Sequence, residues 1–174
     1  MRLDFSGKTA VVTGGANGIG LATARVLAGC GALVWVFDLE AERPAEVAAS
    51  FGASGCVADV TDRASLEAAF ERVGVPDVVV ANAGTSTEVE LTATTQEVWD
   101  RTLAVNLTAV FHTVQIAAVG MKARRAGSIV ITASTNSYDG EAGFTAYNAT
   151  KAGLLGILHT VSYTHLTLPT KRIV

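Results

Sequence analysis

An α/β fold with a doubly wound parallel sheet of about five strands is what this sequence predicts. Three observations carry that expectation. Short apolar, β-branched runs alternate five times with segments of helical period; the connections between them are short; and the first run is followed at once by a glycine-rich loop that opens a helix. Strands that alternate with helices pair in parallel, because each crossover returns along the sheet and covers one of its faces.

The chain has 174 residues, 49% of them hydrophobic, with 17 Gly and only 3 Pro, which suits one domain with a sizeable core. A net charge of −3 and 17% charged residues offer no basic surface for nucleic acid, so the expected partners are small molecules and other subunits. No apolar run is read as long enough to span a membrane, and residues 1–6 carry no hydrophobic signal segment. A cytoplasmic protein is therefore expected. Cys30 and Cys56 lack a C-x-x-C spacing and read as reduced, packed thiols. His112, His159 and His165 have no ligand spacing, and no metal is expected at the reacting centre.

Residues 9–13, Thr-Ala-Val-Val-Thr, form the first strand. The loop Gly14-Gly-Ala-Asn17-Gly18-Ile19-Gly20 follows, and Ile19, Ala22, Val26 and Leu27 then recur at helical spacing. Glycines that open a helix allow backbone N–H groups and the positive helix end to approach a pyrophosphate without Cβ interference, and Gly20 lets the helix pack close to the sheet. A tight turn without a ligand would look similar. Residues 32–37 are a second buried run ending in Asp38, 24 positions after Gly14, which suits a carboxylate that accepts hydrogen bonds from an adenosine ribose. Its charge would repel a 2′-phosphate, and neither the loop nor the two positions after Asp38 holds a Lys or Arg, so NAD is expected over NADP. Asp38 also suits an ordinary helix cap.

A short helix over 41–50, with Pro44 in its first turn, leads to a third strand over 54–58 that ends in Asp59-Val60. Asp59 can hydrogen-bond an adenine amino group while Val60 covers a ring face, although Asp59 and Asp62 also suit caps for a helix over 63–73. The fourth strand, 76–81, closes in Asn82-Ala83-Gly84, a small-residue turn where a cofactor can lie against backbone. Residues 92–122 read as one long helix with Leu103, Leu107, Val110, Phe111, Val114 and Met121 on a broad apolar stripe. Asn106 beside that stripe needs partners, since an unsatisfied buried amide costs about 1–3 kcal/mol. It either bends the helix and holds a water or bonds to nearby backbone.

The fifth strand, 128–133, feeds the stretch 134–151. Tyr147 and Lys151 stand four apart, so on a helix they share one face, and a cation beside a phenol favours the phenolate. Such a tyrosine can carry a proton in either direction. Ser134, thirteen residues before Tyr147 at a strand end, can hydrogen-bond the same substrate oxygen.

Together, Thr13-Gly-Gly-Ala-Asn-Gly-Ile-Gly20, Asp38, Asp59-Val60, Asn82-Ala-Gly84, Asn106, Ser134 and Tyr147-x-x-x-Lys151 resemble the short-chain dehydrogenase/reductase family in its single-domain, Rossmann-like form, over residues from about 5 to 161. The resemblance implies that Tyr147 is the acid or base, that Ser134 holds the substrate oxygen, and that Lys151 lowers the tyrosine pKa and binds the nicotinamide ribose. It implies that Asn106 retains a water that passes the proton on. Thr13, Gly14, Asn17, Gly18, Ile19 and Gly20 would frame the coenzyme, with Asp38 on the adenosine ribose, Asp59 and Val60 near adenine, and Asn82, Ala83 and Gly84 lining the next strand end. Ala81 stands where the family often has a second Asn. The implied activity is interconversion of a secondary alcohol and a ketone by hydride transfer, in a homo-oligomer built through helices at about 100–122 and 147–161. A dinucleotide-binding redox sensor and an inactive fragment are the competing expectations.

Residues 162–174 break the pattern. A Thr-rich tail with one Pro stands where the family continues its helix and adds further strands, so the domain is expected to cover 1–161, with the sheet incomplete on its C-terminal side and the tail foreign to the fold. An uncovered fifth strand would leave the polypeptide poorly soluble or weakly active.

Overall fold

Five parallel strands form one sheet in the order β3-β2-β1-β4-β5. They are β1 (Thr9–Thr13), β2 (Leu33–Asp38), β3 (Ser54–Val57), β4 (Val78–Ala81) and β5 (Ser128–Ile131). The computed structural model describes residues 3–164, with side chains for 3–160. The helices are α1 (Gly18–Gly29), α2 (Pro44–Ala49), α3 (Arg63–Val73), α4 (Gln96–Leu103), α5 (Ala109–Arg124) and α6 (Thr145–Thr164). The order reverses at β1, between β2 on one side and β4 on the other, and a ligand crevice belongs at that point in a doubly wound sheet.

Alternation along the strands builds two cores. Ala10, Val12, Val34, Val36 and Val80 point to one face, where Ala24 of α1 and Ala48 of α2 cover them. Val11, Phe37 and Val79 point to the other, against Leu66, Ala69 and Phe70 of α3 and Ala109, Ala117 and Met121 of α5. A period of two places successive strand residues on opposite faces, and both faces here are apolar, as a parallel sheet requires. Beside the second core, Ala81, Val110, Val114 and Leu154 join α5 and α6 over β5. The opposite face of β5 is bare among the described residues, where Val130 is 50% exposed.

Several expectations need correction. The spacing of Ile19 and Val26 suggested an inward face, yet they are 70% and 61% exposed. The buried residues of α1 are Gly20 and Ala24, small enough to bring the helix against the sheet, so the bulkier residues turn outward. The long helix starts at Gln96 after a 3-10 turn, and its hydrogen bonding slips to a π-turn over Ala104–Thr108 before α5 resumes. Phe111, expected on the buried stripe, is 45% exposed because it lies on the flank of α5 that faces α6 rather than the sheet. By length and composition the helix Gln96–Arg124 could cross a membrane, contrary to the sequence reading; here Ala109, Val110, Val114, Ala117 and Met121 bury its inner face in the cores. At the C-terminal end α6 runs to Thr164, three residues past the expected boundary, and residues 165–174 of the predicted tail lie outside the described residues.

Candidate active site

The carboxyl ends of β1, β4 and β5 are tied together by side chains. The Thr13 hydroxyl, 2% exposed, accepts hydrogen bonds from the backbone N–H groups of Asn82 at 3.0 Å and Ala83 at 3.2 Å. The Asn82 amide returns the contact, donating to the carbonyl oxygens of Thr13 and Gly14, both at 3.2 Å, and its Oδ1 accepts the Thr132 hydroxyl at 3.2 Å. Thr13 and Asn82 therefore build the crevice floor.

The glycine loop lies on this floor. Gly14 has φ +61° and a Cβ there would sit 2.8 Å from the Ala83 Cα, so both backbone and packing demand glycine. A Cβ on Gly20 would strike the Gly14 carbonyl oxygen and come within 2.6 Å of the Asn82 amide nitrogen. Above Gly18 a Cβ would meet nothing within 4 Å. The first turn of α1 holds no acidic residue, and Asn17 provides no side-chain cap. An open approach to an uncapped, positive helix end suits the pyrophosphate of a dinucleotide, so the residues present fit such a cofactor. Ile19, exposed on the first turn, lies beside that approach.

Asp38 ends β2 with both carboxylate oxygens engaged: Oδ2 accepts the Ala16 N–H and Oδ1 the Leu39 N–H, each at 2.9 Å. The carboxylate is thus fixed against the glycine loop. A second carboxylate joins it, since Asn17 Nδ2 donates to Glu42 Oε2 at 3.2 Å. Asp59 uses Oδ1 to hold the turn at Thr61, accepting both its N–H and its hydroxyl, while Asp62 caps α3 through the Ala64 N–H. Val60 is 9% exposed and belongs mainly to the core.

Asn106 sits in the π-turn with no exposed surface. Its Oδ1 accepts the Thr85 N–H at 2.8 Å, its Nδ2 donates to the Thr85 carbonyl at 2.7 Å, and a longer bond reaches the Thr150 hydroxyl at 3.4 Å. The amide bonds to backbone, as one expectation had it, while the helix around it departs from regular winding in the π-turn, and the bonds pin the loop after Gly84 to the helix. Ala83 and Gly84 lie between that pin and the crevice floor.

On α6, Lys151 is 5% exposed, and its Nζ donates to the Thr132 carbonyl at 2.7 Å and lies 5.4 Å from the Tyr147 ring centroid. Burial lowers the Lys151 pKa below the ordinary lysine value, because the ammonium has lost hydration. The Phe144 ring packs edge-on against Tyr147 at 6.3 Å. Ser134 caps the 3-10 turn Thr135–Ser137. Its hydroxyl accepts the Asn136 N–H and donates to Asn136 Oδ1, both at 3.2 Å. The turn it caps packs on α6. Sequence reasoning missed Thr132, Asn136, Asn148 and Glu42. No period or spacing links these positions: Thr132, Asn136 and Asn148 gain partners only when β5 and its turn dock on the neighbouring elements, and Glu42 only when the turn after β2 meets Asn17 at the start of α1.

Among the described residues no three His, Cys, Asp or Glu side chains group as metal ligands. Asn17, Gly18, Ile19, Asp38, Gly84, Ser134 and Tyr147 sit just past strand ends or in the first turns of the helices that follow, at the carboxyl end of the sheet, and Lys151 lies in the second turn of α6.

Residues 8–167 match the family model described as short chain dehydrogenase. An acetoacetyl-CoA reductase of Synechocystis is 37% identical over 93% of this chain and 67% of its own length. A 3-oxoacyl-[acyl-carrier-protein] reductase of Thermotoga maritima is 37% identical over 92% and 68%, and a momilactone A synthase of Oryza sativa is 41% identical over 86% and 58%. The chain spans about half to two thirds of the length of the curated relatives it matches. A solved structure described as a short chain dehydrogenase/reductase family protein superposes with a TM-score of 0.88 at 33% identity, covering 92% of this chain and 69% of the other. With its five-stranded parallel sheet, its glycine loop at the switch in strand order and this match over residues 8–167, the chain belongs to the short-chain dehydrogenase family.

Proposed function

We propose that this chain forms the cofactor-binding and proton-transfer part of an oxidoreductase that interconverts a secondary alcohol and a ketone, with NAD favoured over NADP. The observation that carries the reading is Lys151, a buried ammonium held to the Thr132 carbonyl and set one helical turn below Tyr147. A protein has little structural reason to bury a cation beside a phenol, and proton transfer at that phenol supplies one.

Tyr147 gives a proton to the substrate oxygen in reduction and takes it back in oxidation. Lys151 steadies the negative charge that this leaves on the phenol oxygen. The Ser134 hydroxyl holds the same substrate oxygen through its single donor. A nicotinamide cofactor, when bound, supplies the hydride chemistry, and Gly14, Gly18, Gly20 and Asn17 would hold its phosphates with Asp38 on its ribose. Asn106 contributes by fixing Thr85 and so the turn at Asn82, Ala83 and Gly84; the proton-relay water is what the family resemblance implies for this part of the helix. Asp59 and Val60 would border the adenine. Asp38 and, through Asn17, Glu42 bring two carboxylates to the glycine loop, where they would repel a 2′-phosphate, and Arg43, the nearest cation in sequence, is paired with Glu46 at 3.4 Å. That imbalance supports NAD.

Self-association is proposed through α5 and α6, where Phe111, Val114, Ala118, Val119 and Ile157 line an apolar groove. Cofactor fluorescence followed by turnover on a panel of secondary alcohols tests the main reading. Tyr147→Phe is expected to lower turnover by about a hundredfold or more with NAD affinity within about twofold; turnover that survives this change would remove Tyr147 from its role. Binding without turnover in the unaltered chain would favour the sensor, and neither would favour an inactive fragment.

A further inference from the structure

The two hydroxyls assigned to the substrate oxygen come from separate elements. Ser134 follows the end of β5, whereas Tyr147 stands in the first turn of α6. Hydrogen-bonding one small oxygen from both sides demands that their relative position be held to a fraction of an ångström, and backbone packing alone does this poorly at a loop.

Asn136 spans the gap. Its Oδ1 accepts the Ser134 hydroxyl at 3.2 Å, and its Nδ2 donates to Asn148 Oδ1 at 2.7 Å, on the residue that follows Tyr147. Asn148 is held in turn, its Nδ2 donating to the Glu141 carbonyl at 2.8 Å. Asn136 Nδ2 also reaches the Glu141 carboxylate at 3.4 Å, and the Thr135 hydroxyl reaches Asn136 Oδ1 at 3.4 Å. Among the described residues, the bond from Asn136 to Asn148 is the one hydrogen bond between the turn Thr135–Ser137 and α6. The lengths rank these contacts. The bridge to Asn148 is short, and the bond from Ser134 is long. When a substrate oxygen arrives, the serine proton leaves Asn136 at little cost while the bridge stays in place.

We propose that Asn136 is a positioning residue, whose side-chain amide locks the Ser134 turn to the Tyr147 helix and keeps the serine proton available until substrate takes it. This rests on the oxidoreductase reading above, and no step of it requires an additional group.

The test uses the full chain with NAD and whichever secondary alcohol it turns over. Asn136→Ala should lower kcat at least tenfold with the KM for NAD within twofold. Asn148→Ala should do the same, and the double variant should be hardly worse than either single one, because both break one bridge. Asn136→Asp should move the acid-side limb of kcat/KM for alcohol oxidation, where Tyr147 must lose its proton to act as base, to higher pH, since a carboxylate beside Ser134 opposes negative charge on the phenol. A purely structural role would leave that limb in place. A kcat within twofold of the unaltered chain, losses that multiply in the double variant, or an unmoved pH limb would each overturn the proposal. If the unaltered chain has no turnover, the oxidoreductase reading fails and amide hydrogen exchange decides the bridge. Asn136→Ala should speed exchange several-fold at residues 146–151 and leave β1 and β4 unchanged; unchanged exchange at 146–151 would dismiss the bridge as well.

Discussion

Lys151 donates a 2.7 Å hydrogen bond to the carbonyl oxygen of Thr132, joining the second turn of α6 to the residue that follows β5. The carbonyl supplies a partial negative charge but no full counter-ion, so the ammonium remains short of solvation. That is the cause of its lowered pKa.

The sign of the resulting pH dependence follows. The unfolded chain holds the Lys151 proton more tightly than the folded one, so this group makes stability rise with pH through the window between its lowered folded value and 10.5. In Lys151→Met that rise should vanish. Urea unfolding at pH 7.5 and 10 is expected to show the unaltered chain gaining on the variant at the higher pH, and turnover in the variant should be lost. Parallel pH profiles would show that burial does not strain the ammonium.

Gly20→Ala forces a methyl group onto the Gly14 carbonyl and the Asn82 amide. Overpacking of this kind costs about 1–3 kcal/mol, and because the displaced atoms form the crevice floor, NAD affinity should fall with it. Gly29→Ala is the contrast. Its Cβ meets nothing within 4 Å, and a gain of about 0.4–1 kcal/mol is expected from reduced freedom in the unfolded chain. Thermal melts and NAD titration of the two variants check the pair.

Coenzyme choice should respond to Asp38→Asn. The amide oxygen can still accept the Ala16 N–H, so the loop contact is kept while one charge and the bond from the Leu39 N–H are removed. The ratio of NADP to NAD affinity should rise about tenfold, the order expected when one nearby charge no longer repels a 2′-phosphate through water. An unchanged ratio would shift the discrimination to Glu42 or elsewhere.

Val119 is 71% exposed on the α5 side of the apolar groove. Val119→Glu should reduce the assembly state measured by light scattering, with little change in the circular dichroism of the chain. An assembly that persists would move the interface away from α5 and α6.

The strands and helices were legible because both cores obey simple periods: two for Val11 and Val12, whose side chains go to opposite faces, and roughly 3.6 for Val110, Val114, Ala117 and Met121. The glycine loop was legible because only glycine fits at Gly14 and Gly20. Helix phase was less so. Ile19 and Val26 carried an apolar spacing that faces outward, since close packing selected Gly20 and Ala24 instead. At Asn106 a bend in the helix was legible as one outcome, but the partner was not, because Thr85, which bonds to the amide, lies 21 residues away. For the same reason Asn136 and Asn148 gave no hint: twelve residues apart, they meet only after the turn docks on α6.

The link from Thr13 through Asn82 to Thr132 also bears on the order of assembly. Its bonds close loops of 69 and 50 residues, so it cannot form until β1, β4 and β5 have all docked. Loop closure of that length is costly before the strands have paired. The cofactor bed should therefore be among the last regions to acquire protection during refolding, and a dinucleotide added at the start should slow unfolding without hastening collapse.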